Sequence, residues 1–144
     1  MSKEKIFSEH LQLEVLNEMN RGSMVEHLGI EFLEIGDDYL KASMPVDSRT
    51  MQPLGLLHGG ASVALAETMG SIGANCIIDL QKKAAVGLEI NANHIKSVRE
   101  GRVIGISKPY HIGKGTHIWS IEIFNEKNQL VCISRLTMAI IDRK

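Results

Sequence analysis

A stretch of helix with no polar face governs what this chain can fold into. From Ala61 to Ile72 the residues are Ala, Ser, Val, Ala, Leu, Ala, Glu, Thr, Met, Gly, Ser and Ile, with no charge on any face except at Glu67. A helix that is apolar nearly all round belongs in the middle of a domain rather than on its surface. The segment before it, Gln52-Pro53-Leu54-Gly55-Leu56-Leu57-His58-Gly59-Gly60, is punctuated by Pro53 and Gly55 and ends on a histidine and two glycines. That composition breaks regular structure and starts the helix close to His58.

Two chemical features follow. Glu67 is expected to be a carboxylate in a buried helix, where desolvation without a positive partner disfavours its charged form. Such groups are candidate bases or nucleophiles. At the other end, His58, Gly59 and Gly60 sit where the first amide N–H groups have no intrahelical partner and the dipole is positive. A glycine there admits a ligand oxygen to the backbone, which makes an oxyanion site. Gly59 and Glu67 are eight residues apart, about 12 Å along the axis at ~1.5 Å per residue. One carbonyl cannot touch both. If the two act together, the second must come from another copy of the chain, and two such helices related by a two-fold axis would supply a composite site.

The chain has 144 residues and a formal net charge of −1. That length is enough for one domain with a real core, and the expectation is a single domain over residues 1–144. With no Lys/Arg cluster and only Trp119, Tyr39, Tyr110 and three Phe as stacking rings, nucleic-acid binding is not expected. The apolar runs stop well short of the ~20 residues of a membrane span. Met1-Ser2-Lys3-Glu4-Lys5 leads into no signal-like core. Cys76 and Cys132 have neither CxxC spacing nor disulfide density. A cytoplasmic protein is the plain reading. His58, His94, His111 and His117 form no HxxxH or HExxH pair, so no metal site is expected.

Along the chain, residues 1–9 read as polar and frayed, and residues 1–28 as a helical cap: Leu11, Leu13, Val15, Leu16 and Met19 fall near helical spacing and Gly22 stops the run. Strands are expected over residues 30–35 and 39–46, joined by a turn at Gly36-Asp37-Asp38. Leu40, Ala42, Met44 and Val46 alternate with Lys41, Ser43 and Pro45, which predicts one buried face. Asp47 and Arg49 are expected to fix the loop into the helix or a subunit contact. After the helix, Val86, Leu88, Ile90, Ala92 and His94 alternate against Gly87, Glu89, Asn91 and Asn93. Further strands are expected over 103–110, 116–124 and 130–141, with hairpins at 113–115 and 125–128. An α+β fold results, an antiparallel sheet wrapped around one long helix.

These residues resemble the hot-dog fold acyl-CoA thioesterases, in the branch with a catalytic glutamate on the central helix. Gln52, Leu57-His58-Gly59-Gly60, Glu67 and Ser71 match that pattern in order and spacing. The likeness continues through residues 44–50 and 87–94 and covers roughly 22–141. It implies hydrolysis of an acyl-CoA thioester with no cofactor. Glu67 would be nucleophile or general base, the Gly59 N–H the oxyanion donor, His58 a holder of the thioester, and Gln52 an orienting amide. Ser71, four residues after Glu67, lies on its helical face and is either a partner of the carboxylate or a packing residue. The resemblance further implies a substrate-binding set of Gly87, His94, Ile95, Lys96 and Ser97, with His94 a wall of the acyl pocket and Lys96 and Ser97 near the coenzyme arm, and the hairpin His111, Ile112, Gly113, Lys114, Gly115 and Thr116 at the nucleotide and phosphates. A dimer, and a tetramer built from dimers, is implied too. An acyl or aryl carrier protein is a possible alternative to coenzyme A as carrier. Two rival functions share these residues: hydration or dehydration of acyl thioesters, and acyl-CoA binding without turnover.

Overall fold

The computed structural model describes residues 4–144. After two short helices, α1 (Leu13–Glu18) and α2 (Met24–His27), come strands β1 (Glu31–Ile35) and β2 (Leu40–Pro45), then the long helix α3 (Gly59–Asn75). Four more strands follow: β3 (Lys83–His94), β4 (Arg102–Ile112), β5 (Thr116–Asn125) and β6 (Leu130–Asp142). They form one sheet in the order β1-β2-β4-β5-β6-β3, antiparallel throughout. This is the expected architecture, with four strands after the helix.

The helix sinks into the sheet because its inner face is small. Ser62, Leu65, Ala66, Met69, Gly70, Gly73 and Ala74 are its buried residues, a stripe at helical spacing. A Cβ at Gly73 would lie 2.8 Å from Cη2 of Trp119, and one at Gly70 would lie 2.6 Å from a Leu136 methyl. Both glycines are therefore where sheet side chains press against the helix backbone. Full burial of Leu65 and Met69 stabilises the packing by roughly 1.5–3 kcal/mol each. The opposite face of α3 is only half-buried, so the helix is cradled by the sheet rather than surrounded, and Glu67 lies on the half-buried side. The expectation of a fully buried carboxylate fails within one chain for that reason.

Three further expectations need correction. Residues 1–3 lie outside the described part, but 4–9 are not uniformly frayed: the Ile6 N–H donates to the Asp37 carbonyl at 2.9 Å, and Phe7 is 3% exposed with its ring 6.5 Å from that of Trp119. An apolar pair in a polar segment is enough to dock it. On β2, Ser43 and Pro45 are buried along with the apolar residues. The Arg102 guanidinium covers that outer face, donating from Nη2 to Ser43 Oγ at 2.8 Å. On β3 the simple alternation breaks at a bulge between Gly87 and Glu89, where Gly87 pairs with Met138 and Glu89 with Thr137. Gly87, Ile90, Ala92 and His94 consequently share the helix-facing side, opposite Met138, Leu136, Ser134 and Cys132. A glycine inside a strand pattern is the usual seat of such a bulge.

The two sheet edges differ. At β1 the Asn17 side chain bonds both backbone groups of Phe32, accepting from its N–H at 2.8 Å and donating to its carbonyl at 3.1 Å. That mimics a strand and blunts the edge. At β3 the Asn75 side chain does the same at Ala85 alone, accepting from its N–H at 3.1 Å and donating to its carbonyl at 3.3 Å, and Val86 and Leu88 further along are exposed. Among the described residues no helix is long and apolar enough to cross a membrane.

Candidate active site

The loop into α3 is fixed before any chemistry is considered. Asp47 accepts from Arg49 Nη2 at 2.7 Å and Nε at 3.1 Å, as expected for a loop brace. The Arg49 guanidinium holds the Asp47 carboxyl down to about 2. The Thr50 hydroxyl donates to the Pro45 carbonyl at 2.7 Å, and the His58 N–H donates to the Thr50 carbonyl at 2.8 Å. His58 is then the N-cap of α3, its Nδ1 accepting from the Gly60 N–H at 2.7 Å. This role sets its tautomer. A neutral ring that accepts at Nδ1 carries its proton on Nε2, where it can donate to a ligand. In the same loop Gln52 Oε1 accepts from the Leu54 N–H, which leaves the amide NH2 to donate elsewhere.

Gly59 opens the helix beside β3. A Cβ on it would lie 2.7 Å from His94 Nε2, so the imidazole fills the space a side chain would need. Around this contact lies a cleft of about 300 Å³, lined among others by Gln52, Gly59, Ser62, His94, Lys96 and Ser97. Gln52, Gly59, His94, Ile95, Lys96 and Ser97 are thus brought together, with Leu56, Leu57 and Val131 as apolar wall.

Glu67 is elsewhere. Two turns down the helix, its carboxylate lies over the β3 bulge: a Cβ on Gly87 would fall 2.6 Å from Glu67 Oε1. It makes no ion pair or hydrogen bond among the described residues. Ser71 is on the same side, half-buried, with no bond to Glu67. Asn75, which sequence reading passed over, locks this end of α3 to β3. Its Oδ1 accepts from the Ala85 N–H at 3.1 Å and its Nδ2 donates to the Ser71 carbonyl at 2.9 Å.

The hairpin 111–116 does not enter the Gly59 cleft. Its Gly113 N–H is used by the Thr116 carbonyl at 2.9 Å, and its Gly115 carbonyl by the Ile140 N–H at 3.0 Å. His111 and Ile112 line a separate depression with Ile6, Asp38 and Tyr110. Register relates the hairpin to Glu67 instead: His117 pairs with Met138, and Met138 with Gly87. At ~4.8 Å per strand, Gly87 is about 10 Å from the base of the hairpin. One chain therefore carries an amide end, at Gly59, and an acid end, at Glu67.

With this geometry in view, the chain matches the family model described as the thioesterase superfamily over residues 54–132. It is 57% identical over 136 residues to 1,4-dihydroxy-2-naphthoyl-CoA hydrolase of Escherichia coli, covering 94% of this chain and 99% of that protein. It is 48% identical over 135 residues to the proofreading thioesterase EntH of Cronobacter turicensis, covering 94% and 98%. Among solved structures, a mutant of thioesterase PA1618 from Pseudomonas aeruginosa superposes with a TM-score of 0.94 at 44% identity, covering 96% of this chain and 99% of that one. Thioesterase HI1161 from Haemophilus influenzae gives 0.91 at 47% identity, covering 95% of each. The chain belongs to the thioesterase superfamily. Its fold is the hot-dog fold, and it is a thioester hydrolase.

Proposed function

We propose that the chain hydrolyses an aromatic or medium-chain acyl-CoA thioester in a site shared between two copies. The observation that carries this reading is the separation of the acid and amide ends along one edge strand. Glu67 is held over Gly87 and Gly59 is held against His94, and both β3 residues face the helix. With β1 blunted by Asn17 and Asn75 engaging β3 only at Ala85, the stretch of β3 from Gly87 to His94 is the edge left to pair. An antiparallel two-fold pairing requires residues of one face to oppose each other. Centring the axis on Asn91 sets Ile90 against the partner's Ala92, and the Gly87 bulge against the partner's His94. Glu67 then approaches the partner's Gly59. The hairpin 111–116 of one copy comes to the same end as Lys96 and Ser97 of the other, which supports a coenzyme arm running between them.

The chemistry follows from these groups. The thioester oxygen accepts from the Gly59 N–H and develops charge there; losing one such donor elsewhere costs about 3 kcal/mol. The Gln52 NH2 is a further donor lining the cleft, and the His58 Nε2–H is another at the helix cap next to Gly59. Glu67 either takes a proton from an attacking water or attacks the carbonyl itself to give an anhydride that water then opens. In both routes the C–S bond breaks and the coenzyme leaves as thiolate. The names of the relatives favour hydrolysis over hydration of a double bond, and that of the Escherichia coli protein favours an aromatic acyl group. The test is thiol release from a panel of aromatic, aliphatic and carrier-bound thioesters by the parent protein and Glu67→Gln. The expected result is highest kcat/KM on coenzyme A esters and a loss of at least 10³-fold in the variant, the scale of a lost base or nucleophile. Turnover unchanged by Glu67→Gln would end this reading. A single turnover in ¹⁸O-water identifies direct attack when water opens the anhydride at the Glu67 carboxyl carbon: the new oxygen of the product then comes from Glu67, and the label enters Glu67.

A further inference from the structure

The free stretch of the β3 edge is closed at both ends. At one end Asn75, on the last turn of α3, takes both backbone groups of Ala85: its Oδ1 accepts from the Ala85 N–H at 3.1 Å and its Nδ2 donates to the Ala85 carbonyl at 3.3 Å. The same Nδ2 donates to the Ser71 carbonyl at 2.9 Å, so the amide is held by its own helix while it holds the strand. At the other end the N–H groups of Ile95 and Lys96 both donate to the Val131 carbonyl, at 2.8 and 3.3 Å. The chain after His94 is thereby folded back on its own sheet. With the bulge at Gly87 and Leu88 counted as one rung, seven rungs run from it to His94, and Asn91 is the fourth.

A strand that pairs with its own copy about a two-fold axis fills every open rung only when the axis passes through the middle one. The Ser134 hydroxyl donates to the Asn91 carbonyl at 2.9 Å, on the β6 side. Asn91 therefore meets its copy in a non-hydrogen-bonded pair, and the flanking pairs of Ile90 with the partner's Ala92 exchange the bonds. Freeing Ala85 adds two rungs at one end alone and moves the middle to Ile90. An axis there sets His94 against the partner's Ala85, the contact that Asn75 forbids. Shifting the axis by one residue displaces the partner by two, roughly 7 Å at ~3.3 Å per residue. Glu67 then misses the partner's Gly59, where a misplacement of ~1 Å already costs on the order of 10²-fold.

Resting on the shared-site reading above, we propose that Asn75 is a positioning residue for the reaction: by closing Ala85 it sets the two-fold axis at Asn91 and so brings Glu67 of one copy to the partner's Gly59. The register probe is Asn91→Cys, because Cα atoms of a non-hydrogen-bonded pair lie about 4.5 Å apart, within disulfide reach. Under mild oxidation Asn91→Cys should cross-link to its own copy. Adding Asn75→Ala should lower that yield at least fivefold, the scale of one hydrogen bond gained by the slipped ladder. A new cross-link should appear when Asn91→Cys and Glu89→Cys chains, both carrying Asn75→Ala, are mixed, since an axis at Ile90 sets those residues opposite each other. Without added cysteines, kcat of Asn75→Ala should fall by the same factor with KM unchanged, because the dimers left in register turn over normally. Ala85→Pro, which has no N–H to offer a partner strand, should restore both readings in the Asn75→Ala background. Where Asn75→Ala does not fold, Asn75→Asp carries the comparison: it still accepts from the Ala85 N–H but frees the carbonyl, and the shifts should keep their direction. Undiminished cross-linking at residue 91, whether or not kcat falls, would overturn the proposal and leave the shared site intact. No cross-link from Asn91→Cys in the parent background would overturn the edge pairing and this proposal together.

Discussion

Gly87→Ala isolates the position of Glu67 from the stability of the fold. A Cβ at residue 87 falls 2.6 Å from Glu67 Oε1, 3.6 Å from its Cδ and 4.0 Å from Met138 Sδ. Carbon–oxygen contacts begin near 3.3 Å, so the carboxylate oxygen must retreat by about 0.7 Å. It is the far end of a flexible side chain, and the retreat costs the fold little. Gly→Ala at a backbone conformation that alanine adopts freely adds roughly 0.4–1 kcal/mol through the unfolded chain. Stability should therefore hold or rise slightly. Activity should not: displacing a catalytic group by ~1 Å costs on the order of 10²-fold, equivalent to about 2.7 kcal/mol of barrier. The assay is thiol release alongside a thermal melt. The expected pair of results is a Tm at or above that of the parent and kcat/KM lower by 10- to 100-fold. In a Glu67→Gln background the same substitution should change nothing further. Activity within threefold of the parent at unchanged stability would refute the idea that the seat of Glu67 over Gly87 is the working one.

Gly73→Ala should destabilise without touching the chemistry, because the added carbon meets the buried Trp119 ring at 2.8 Å. Overpacking of ~1–3 kcal/mol outweighs a helix gain of ~1 kcal/mol, so a melt should show Tm lower by a few degrees. His117 is 1% exposed, and burial, with a smaller effect of His111, pushes its imidazole pKa down. The unfolded chain binds that proton more readily, so stability should be level above ~6.5 and decline as pH falls below it; His117→Phe should flatten the decline in denaturant titrations, and an equal slope in both proteins would reject the assignment. Lys114 is exposed and in no ion pair among the described residues. Lys114→Ala should raise KM for acyl-CoA by up to ~5-fold, the scale of one exposed charge contact, with kcat nearly constant; an unaltered KM would remove the hairpin from the coenzyme site.

Much of this was legible before any coordinates. The apolar helix, its start at His58-Gly59-Gly60 and the grouping of two strands before it and three or four after it follow from periodicity and punctuation, which are local. The separation of Gly59 from Glu67 follows from helical rise alone. What escaped was set by tertiary contact. The bulge at Gly87 puts Gly87 on the side of Ile90, Ala92 and His94 and turns Val86 and Leu88 away from it, and a period-two reading has no way to place the extra residue, although a glycine within the pattern was the available signal. Phe7 docks because Trp119 is there to receive it. Asn75 and Ser62 look like filler in a helix sequence; one turns out to lock α3 to β3 and the other lines the cleft. Glu67 is half-buried because the sheet cradles one side of α3 only, a fact about curvature that no window of sequence contains.

The shared site is tested most directly by complementation between two inactive variants, Glu67→Gln and His58→Asn. Asparagine keeps the helix cap but removes the imidazole donor beside Gly59. If acid and amide come from different copies, each mixed dimer has one site with both defects and one with none. Random association of equal amounts then restores about a quarter of the parent's sites. Recovery near that level in the mixture, and near half in dimers isolated as mixed, is the expected result. Verified mixed dimers no more active than either variant alone would contradict the account.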